Sequence, residues 1–459
     1  MVFSSILFLF RFMPAAFLIY YAVPRRFKNF TLLVLSLIFY SWGEVRYFPI
    51  MVASVLVDYI ASNGIERNRH SKLRCRLFLL LSVIFNLGML GFFKYTDFII
   101  SNINALFGTT IGLLKLTLPL GISFYTFQTM SYTIDVYRDK VKAERNIIDF
   151  GAFVVLFPQL IAGPIVRYTD VSRELKERKV NAAQIQDGIG TFIMGLGSKV
   201  LIANNIGSLW TEVESLGFSN ISTPLAWLGI LAFSLQIYFD FSGYSLMAIG
   251  LGKMLGFEFP QNFNYPYISK SMTEFWRRWH MTLGSWFREY LYIPLGGNRV
   301  KPARMYFNLF VVWAATGLWH GASWNFVLWG LFFFVLLVIE KTWLLQYLNN
   351  SKIFSRVYMI FLLLISWSLF AITDFSQLGL FFTKMFTMQG GTDWMYYLRN
   401  YVVVFILAIL LSTPILNFWY NKWLYKHKIL TIVLIGGILV LSVAYLVDAS
   451  YNPFLYFRF

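Results

Sequence analysis

The stretch from residue 429 to residue 448 has the sequence ILTIVLIGGILVLSVAYLVD, and its only charged residue is Asp448 at the very end. A helix of about 20 apolar residues crosses about 30 Å of hydrocarbon. Similar windows recur along the 459-residue chain, in which 58% of the residues are hydrophobic and only 13% are charged. Ordinary soluble domains carry roughly 25% charged residues. The sequence therefore predicts an all-α integral membrane protein.

The apolar windows also predict where the chain crosses the membrane. Several windows are too short to cross upright, so we expect about 11 transmembrane helices with re-entrant and interfacial helices between them. Arg11 and Pro14 interrupt the first window, which is unlike a signal peptide, so the first span is expected to be retained. The predicted spans are 4–22, 30–43, 47–62, 77–93, 117–137, 185–209, 224–250, 305–320, 324–345, 354–373, 400–420 and 429–448.

The net charge of +17 comes from short basic clusters between these windows. This distribution is typical of cytosolic loops and argues against a nucleic-acid partner. If every cluster faces the cytosol, the spans pair up with the N-terminus outside. The window 148–164 contains Pro158, Gly163 and Pro164 and should enter the membrane and return. The single cysteine, Cys75, excludes an intrachain disulfide and a cysteine-based zinc cluster, and we expect no metal site.

A segment of the cytosolic stretch 253–304 carries basic and aromatic residues together. From Thr273 to Tyr290, apolar residues recur at helical spacing among several arginines, which predicts amphipathic structure in the headgroup layer, as one or two helices that lie in or dip into the cytosolic leaflet. His280 lies on this segment, either as a structural interfacial histidine or as a contact for a substrate from the cytosol. Arg277 and Arg278 beside it are suited to bind the phosphates of a nucleotide-bearing donor.

An ionisable residue isolated in an apolar window is costly, so each one needs a partner, a cavity or a function. His320 is the only ionisable residue between Arg304 and Glu340. One interpretation is a histidine hydrogen-bonded between helices. The other is catalytic, because neutral imidazole is suited to take a proton from a hydroxyl near pH 7.

The residues around His320 favour the catalytic interpretation. Gly317 and Gly321 would let the backbone part or a substrate approach closely, and Trp319 and Trp324 would line a cavity. Two isolated acids have a different predicted role, which is to hold helices together, and Asp240 is expected to pair with an arginine of the 273–290 segment. Asp135 is the second such acid, and His70 and His427 lie in charged loops and are expected to be solvated.

Several kinds of chemistry have no motif in this chain. The sequence contains no Gly-x-Ser-x-Gly elbow, no Walker loop and no His-Glu-x-x-His, which disfavours serine hydrolases, ATPases and zinc peptidases. A transporter or polymer flippase is the main alternative from another class, since polar residues at membrane depth are typical of transporters too. The chain has no two halves of matching hydropathy, which counts against that alternative.

Three motifs decide between these classes, namely Phe275-Trp-Arg-Arg-Trp-His280, Leu291-Tyr-Ile-Pro-Leu-Gly-Gly-Asn-Arg299 and Leu318-Trp-His-Gly321. With them stand Leu118-Pro-Leu-Gly-Ile-Ser-Phe-Tyr125, Phe157-Pro-Gln-Leu-Ile-Ala-Gly-Pro164 and Tyr238-Phe-Asp-Phe-Ser-Gly-Tyr244. Together they resemble the membrane-bound O-acyltransferase superfamily, and within it the branch that O-acetylates bacterial alginate. The resemblance covers roughly residues 1–345, an acyltransferase core within a single polytopic domain 1–459. No such motif occurs in the helices of 346–459.

This resemblance implies a fold and an activity. Tilted helices would surround a central funnel or tunnel in the lipid of a bacterial cytoplasmic membrane. The donor, acetyl-CoA or another acyl thioester, would enter from the cytosol, and no cofactor would stay bound. The acceptor would be an extracytoplasmic glycan or an acetyl-relay protein. A branch that transfers D-alanine to teichoic acid shares the first motif, so D-alanyl transfer, or acyl transfer to a lipid acceptor, stays an alternative.

The resemblance also implies roles for individual residues. His320 matches the catalytic histidine of the family and His280 its second conserved histidine, with His280 toward the cytosol and His320 toward the outer end of its span. Only short outer loops remain, the largest being 210–223 and 374–399, so a separate extracytoplasmic protein is expected to finish the transfer. The residues assigned to donor binding are Arg277, Arg278, Trp279, Trp319 and Asn298, and those assigned to structural support are Asp240, Gly317 and Gly321.

Overall fold

The computed structural model describes residues 2–161, 163–423 and 427–448, and throughout these ranges the regular structure is helical, with no strand. The α-helices are α1 (Met13–Ala22), α2 (Lys28–Glu44), α3 (Phe48–Arg67), α4 (Lys72–Phe107), α5 (Ile122–Tyr137), α6 (Ile147–Val155), α7 (Phe157–Leu160), α8 (Tyr168–Glu177), α9 (Ala182–Gly197), α10 (Asn205–Leu216), α11 (Thr223–Leu255), α12 (Met272–Arg278), α13 (Met281–Phe287), α14 (Pro302–His320), α15 (Trp324–Ile339), α16 (Leu345–Asn350), α17 (Lys352–Ala371), α18 (Phe375–Phe386), α19 (Asp393–Leu411), α20 (Ile415–Lys422) and α21 (Lys428–Asp448). Wider π-helical turns occupy Phe8–Phe12, Ser198–Asn204, Arg288–Tyr292 and Glu340–Leu344, and 3₁₀ turns occupy Arg25–Phe27, Phe218–Asn220 and Pro266–Ile268.

Eight helices among the described residues are long and apolar enough to cross a membrane. Each overlaps a span predicted from the sequence, so the chain is a multi-pass membrane protein, while the number of about 11 crossings stays a prediction. The first predicted span contains a shorter apolar helix, Phe8–Ala22. The eight helices are Phe48–Arg67, Lys72–Phe107, Ala182–Leu216, Thr223–Leu255, Trp324–Asn350, Lys352–Ala371, Asp393–Leu411 and Lys428–Asp448.

The chain divides into two compact units, Met1–Phe192 with Met247–Pro260, and Ile193–Leu246 with Gln261–Phe459. In the first unit, α3 packs on both α4 and α5, and α2 packs on α6. In the second, α14 packs on α15, which in turn packs on α17 and on the short helix α12. The second unit contains residues on both sides of position 345, and residues 449–459 of the predicted C-terminal helices lie outside the described residues.

The first unit contains a buried carboxylate that links three helices. Asp58 of α3 accepts hydrogen bonds from Thr133 Oγ1 of α5 at 2.8 Å and from Asn86 Nδ2 of α4 at 2.7 Å. Ser82 Oγ, also on α4, donates to the same carboxylate. Thr129 Oγ1 then donates to Asn86 Oδ1 at 3.2 Å. This group of four side chains around Asp58, the Asp58 network, satisfies polar atoms that lipid could not.

The structure describes two segments that were predicted to lie outside the main spans. The window 148–164 is interrupted, because α6 ends at Val155 and α7 begins at Phe157, and residues 149–161 are buried in protein, while Ala162 lies outside the described residues; its entry into the membrane and return stays a prediction. The predicted outer loop 374–399 is mostly helical, because it contains α18 and the start of α19, and its position outside the membrane stays a prediction. Leu378, Phe381 and Met385 fall at helical spacing and are buried, and that apolar face explains the helix.

Candidate active site

His280 lies in a break between two short helices of the second unit. The sequence predicted one or two helices here, and the structure has two, because α12 ends at Arg278 and α13 begins at Met281. Between them His280 has φ 43° and ψ 54°, a left-handed conformation that costs about 1–2 kcal/mol for a residue with a side chain. Met281 N donates to Asn262 O at 2.9 Å and replaces a helical hydrogen bond. The predicted apolar face is nevertheless buried.

Asn262 holds the imidazole of His280 through its side chain. Asn262 Oδ1 lies 3.0 Å from His280 Nδ1, and it also accepts from Thr282 N at 3.3 Å and Thr282 Oγ1 at 3.0 Å. A backbone N–H can only donate, so this atom must be the amide oxygen, and Nδ1 of His280 must carry its proton. Asn262 Nδ2 donates to Ser245 Oγ at 3.0 Å. His280 Nε2 therefore carries the lone pair of a neutral ring.

The surroundings of His280 keep this ring neutral. The side chain is 1% exposed, and burial lowers the pKa of His280 to about 3. The edge of the Phe241 ring meets the imidazole at 4.7 Å between centroids, and the Trp319 ring lies at 5.9 Å. Within the described part of the chain, Nε2 has no hydrogen-bond partner. The site thus offers a buried, uncharged hydrogen-bond acceptor.

His320 is the last residue of α14 and lies next to the same tryptophan, Trp319. Its ring centroid is 5.0 Å from Trp319 and 5.0 Å from Trp329, and its side chain is 7% exposed. With the Trp319 ring 5.9 Å from His280 and 5.0 Å from His320, the two imidazole centroids lie no more than about 11 Å apart. We call His280, Trp319, His320 and Trp329 the histidine–tryptophan cluster.

This separation bears on one sequence-based expectation. The two imidazole centroids lie within about 11 Å, which is about a third of the roughly 30 Å hydrocarbon core. His280 and His320 therefore belong to one cluster, and their order between the cytosolic and the outer side of the membrane stays a prediction. The imidazole at the break meets α14 at Trp319.

The glycines next to His320 serve close helix packing. A Cβ atom at Gly317 would lie 2.4 Å from Phe326 O, and one at Gly330 would lie 2.4 Å from Trp313 O. A Cβ at Gly321 would meet the Phe326 ring at 2.2 Å. Gly317 and Gly321 therefore have the predicted support role, because they allow α14 and α15 to pack closely. Atoms of α15 occupy the space next to both glycines, so this space is not available to a ligand.

Asp240 is paired, but its partner differs from the expected arginine. Lys199 Nζ lies 2.5 Å from Asp240 Oδ1 and donates to Asn204 Oδ1 at 2.7 Å, and the side chains of Lys199 and Asp240 are 1% and 3% exposed. Lys199 belongs to the π-helical turn Ser198–Asn204, whose wider geometry is frequent at functional positions. The next residue after Asp240 is Phe241, which contacts His280. The ion pair thus anchors the part of α11 that borders the site.

The residues assigned to the donor have several environments. Arg278 forms an ion pair with Glu274, with Arg278 Nη2 2.9 Å from Glu274 Oε1, and Arg277 is exposed. Trp279 is buried, with its ring 5.0 Å from Trp367. The exposed Asn298 accepts from Tyr292 at 2.5 Å. The structure brings only Trp319 of this set against the histidines, and donor contact by the others stays a prediction. The remaining two histidines, His70 and His427, are exposed as predicted.

Comparison with known proteins identifies the family. Residues 139–347, which include the whole histidine–tryptophan cluster, match the model of the membrane-bound O-acyltransferase family. A probable alginate O-acetylase of Pseudomonas putida is 38% identical over 498 residues, covering 100% of each chain. The chain belongs to the membrane-bound O-acyltransferase family. A peptidoglycan O-acetyltransferase of Helicobacter pylori is 38% identical over 378 residues, which cover 75% of this chain and 71% of the relative.

A third relative marks the breadth of the family. The teichoic acid D-alanyltransferase of Streptococcus thermophilus is 29% identical over 246 residues, which cover 49% of this chain and 57% of the relative. All three relatives transfer an acyl group, as their names state, and the chain is accordingly an acyltransferase.

Three residues that shape this acyltransferase site were missed by the sequence analysis. Glu340 is fully buried and accepts from Met272 N at 2.5 Å and Thr273 N at 2.9 Å, which caps the helix leading to His280. Glu340 is followed directly by Lys341, so it looked like part of a charged boundary rather than a buried acid. Asn262 gave no signal, because a neutral amide in a connecting stretch has no distinctive pattern. Lys199 was detectable as a lone charge in an apolar window.

Proposed function

We propose that this protein transfers an acetyl group from cytosolic acetyl-CoA to hydroxyls of an extracytoplasmic polysaccharide, with His320 as the general base. The observation that carries the proposal is the histidine–tryptophan cluster, which holds two buried imidazoles within about 11 Å in the family region. The names of the Pseudomonas putida and Helicobacter pylori relatives, both acting on polysaccharides, support an acetyl group and a glycan acceptor.

The proposed reaction is a direct transfer with balanced protons. The acceptor oxygen attacks the thioester carbonyl, and His320 takes the proton of the acceptor hydroxyl. The tetrahedral intermediate collapses, the C–S bond breaks, and the proton passes from His320 to the departing CoA thiolate. A new ester and free CoA result. A thioester is already activated, so the residues of the cluster suffice for the proton transfers.

Trp329 is positioned to stabilise the charge that forms on the carbonyl oxygen. Its ring is 1% exposed and lies 5.0 Å from the His320 centroid, nearly perpendicular to the imidazole. Its indole Nε1 is buried and has no hydrogen-bond partner in the described ranges. An indole N–H directed at a developing oxyanion in a dry site stabilises the transition state far more than it would in water.

The remaining features of the proposal concern access and partners. The protein would lie in the bacterial cytoplasmic membrane with its N-terminus outside, and helices around a funnel would admit acetyl-CoA from the cytosol to the cluster. Arg277, exposed at the end of α12, would contact donor phosphates. A separate extracytoplasmic protein would pass the acetyl group to the glycan, because the predicted outer loops are short.

The test replaces His320 in otherwise intact protein. With His320→Ala, acetyl ester on the envelope polymer and release of free thiol from acetyl-CoA should both fall by roughly 100-fold or more. The matched control is His70→Ala, which removes an exposed histidine at the turn before α4 and should leave both signals unchanged. Wild-type ester levels in His320→Ala would overturn the assignment of the base.

The same experiment separates the alternatives. A polymer flippase would change the amount of exported glycan without any thiol release that depends on His320. A D-alanyltransferase would leave D-alanine ester, rather than acetyl ester, dependent on His320. Chemical analysis of both esters in the same cells decides between these donors.

A further inference from the structure

We propose that Asn262 is a positioning residue that fixes the proton of His280 on Nδ1 and so presents Nε2 as a hydrogen-bond acceptor to a bound substrate. This inference deepens the proposed function and rests on it. The ligand it implies is a neutral donor, either a glycan hydroxyl other than the one whose proton His320 takes, or an amide N–H in the pantetheine arm of the acyl donor.

The first step is that the orientation of the Asn262 amide is uniquely determined. Its Oδ1 accepts from Thr282 N and Thr282 Oγ1, at 3.3 and 3.0 Å. If the amide were rotated by 180°, its NH₂ group would face a backbone N–H that cannot accept. The other end is held as well, because Nδ2 donates to Ser245 Oγ at 3.0 Å. Asn262 therefore presents an oxygen, and only an oxygen, to His280.

The second step is that the held ring is not satisfied by the protein. His280 Nδ1 donates to this oxygen at 3.0 Å, whereas Nε2, on a side chain that is 1% exposed, has no hydrogen-bond partner in the described ranges. A buried acceptor without a donor is unfavourable, and so is the left-handed backbone at His280. A merely structural residue would avoid both penalties. A substrate donor would remove the first.

The groups around the His280 ring are either uncharged or paired. Contacts with His280 come from Phe241 of α11, Phe263, and Trp319 of α14, all uncharged. The titratable groups nearest along these elements are His320, beyond Trp319, and Asp240, which is paired with Lys199. Along the chain from His280, Arg278 is paired with Glu274. Burial therefore keeps the His280 ring neutral, and a negative charge placed at Asn262 would lie directly against Nδ1 without a compensating partner.

The decisive variant is Asn262→Asp, which keeps an oxygen next to Nδ1 and adds a negative charge. That charge should raise the pKa of His280 by about 1–3 units relative to the wild type, so that Nε2 gains a proton and becomes a donor at a higher pH. The rate of thiol release from acetyl-CoA by the purified Asn262→Asp variant should then fall more steeply at low pH than the rate of the wild type. In the double variant with His280→Gln, this extra pH dependence should disappear.

The matched control is Asn264→Asp, which adds the same charge to an exposed residue of the same connecting stretch and should leave the pH profile unchanged. Asn262→Ala should lower kcat/KM by about 10- to 100-fold without the added acid loss, because the ring loses its orientation. If Asn262→Ala raises only the KM for acetyl-CoA, the pantetheine amide is the group that donates a hydrogen bond to His280. If it raises only the KM for the glycan, the glycan hydroxyl is that group.

Folded protein is quantified by size-exclusion chromatography in detergent, and all rates are expressed per folded molecule. If the wild type shows thiol release that depends on His320 but Asn262→Asp has the wild-type pH profile, the role of Asn262 is wrong and the proposed function stands. If the wild type shows no such release, the proposed function itself has failed.

Discussion

Two buried polar networks in this chain use similar side chains but differ in how completely their central group is hydrogen-bonded. In the Asp58 network, both carboxylate oxygens accept hydrogen bonds, from Ser82, Asn86 and Thr133. Around His280, Asn262 saturates one ring nitrogen, and the other has no hydrogen-bond partner among the described residues. A satisfied network holds helices together, whereas one that keeps a fixed, unsatisfied acceptor is ready for a ligand. Both networks are buried, and they differ in whether every polar atom at their centre has a hydrogen-bond partner among the described residues.

The largest expected effect comes from removing the unsatisfied acceptor. His280→Phe keeps a ring of similar size but deletes both nitrogens. We expect kcat/KM for acetyl transfer to fall by about 10²- to 10⁴-fold, the range attributed to a positioned proton-transfer group. The amount of folded protein should change little, because Asn262 Oδ1 keeps its two bonds from Thr282. The measurement is thiol release per folded molecule, and near-normal turnover would remove His280 from the reaction.

The buried ion pair behind the site should affect stability more than turnover. Lys199→Met leaves Asp240 without the ammonium that lies 2.5 Å away, and breaking such a pair from one side costs about 3–5 kcal/mol. The double variant Lys199→Met with Asp240→Leu should recover most of this loss, because no lone charge is left buried. Thermal unfolding in detergent measures both. Equal stability of the single and double variants would show that the charges are not coupled.

The Asp58 network provides the converse of the His280 experiment. Asp58→Ala leaves Ser82, Asn86 and Thr133 without their shared acceptor, at about 1–3 kcal/mol for each donor that finds no other partner. The thermal midpoint should therefore fall, while turnover per folded molecule stays at the wild-type value. Asp58→Asn is the milder comparison, since it retains one oxygen. A selective loss of turnover in Asp58→Ala would place this network in the reaction.

The sequence predicted the helices well because membrane spans depend on composition over about 20 residues. It also found His320, which is isolated in an apolar window. It did not predict the break at His280, since that depends on the hydrogen bond from Met281 N to Asn262 O and on the side-chain contact between Asn262 and His280, 18 positions apart in sequence. It assigned Asp240 to an arginine, because basic residues of the 273–290 segment were conspicuous while Lys199 stood alone in an apolar span. Hydrophobic periodicity does not tell which polar groups pair when they are far apart in sequence, and the missed contacts are of that kind.

The smallest effect is a pH dependence of stability that originates at His280. Its pKa in the folded protein is about 3, below the value of about 6.5 expected for an exposed histidine. The unfolded chain therefore binds more protons between these values, and the contribution of His280 to stability is complete above about pH 6.5 and is lost as pH falls toward 3. At about pH 5.5 the loss amounts to about 1.4 kcal/mol.

Thermal midpoints at pH 7.5 and 5.5 should differ less in His280→Phe than in the wild type. His70→Ala, which removes an exposed histidine, should keep the wild-type difference. An unchanged difference in His280→Phe would mean that the ring titrates normally and is not held neutral by its burial.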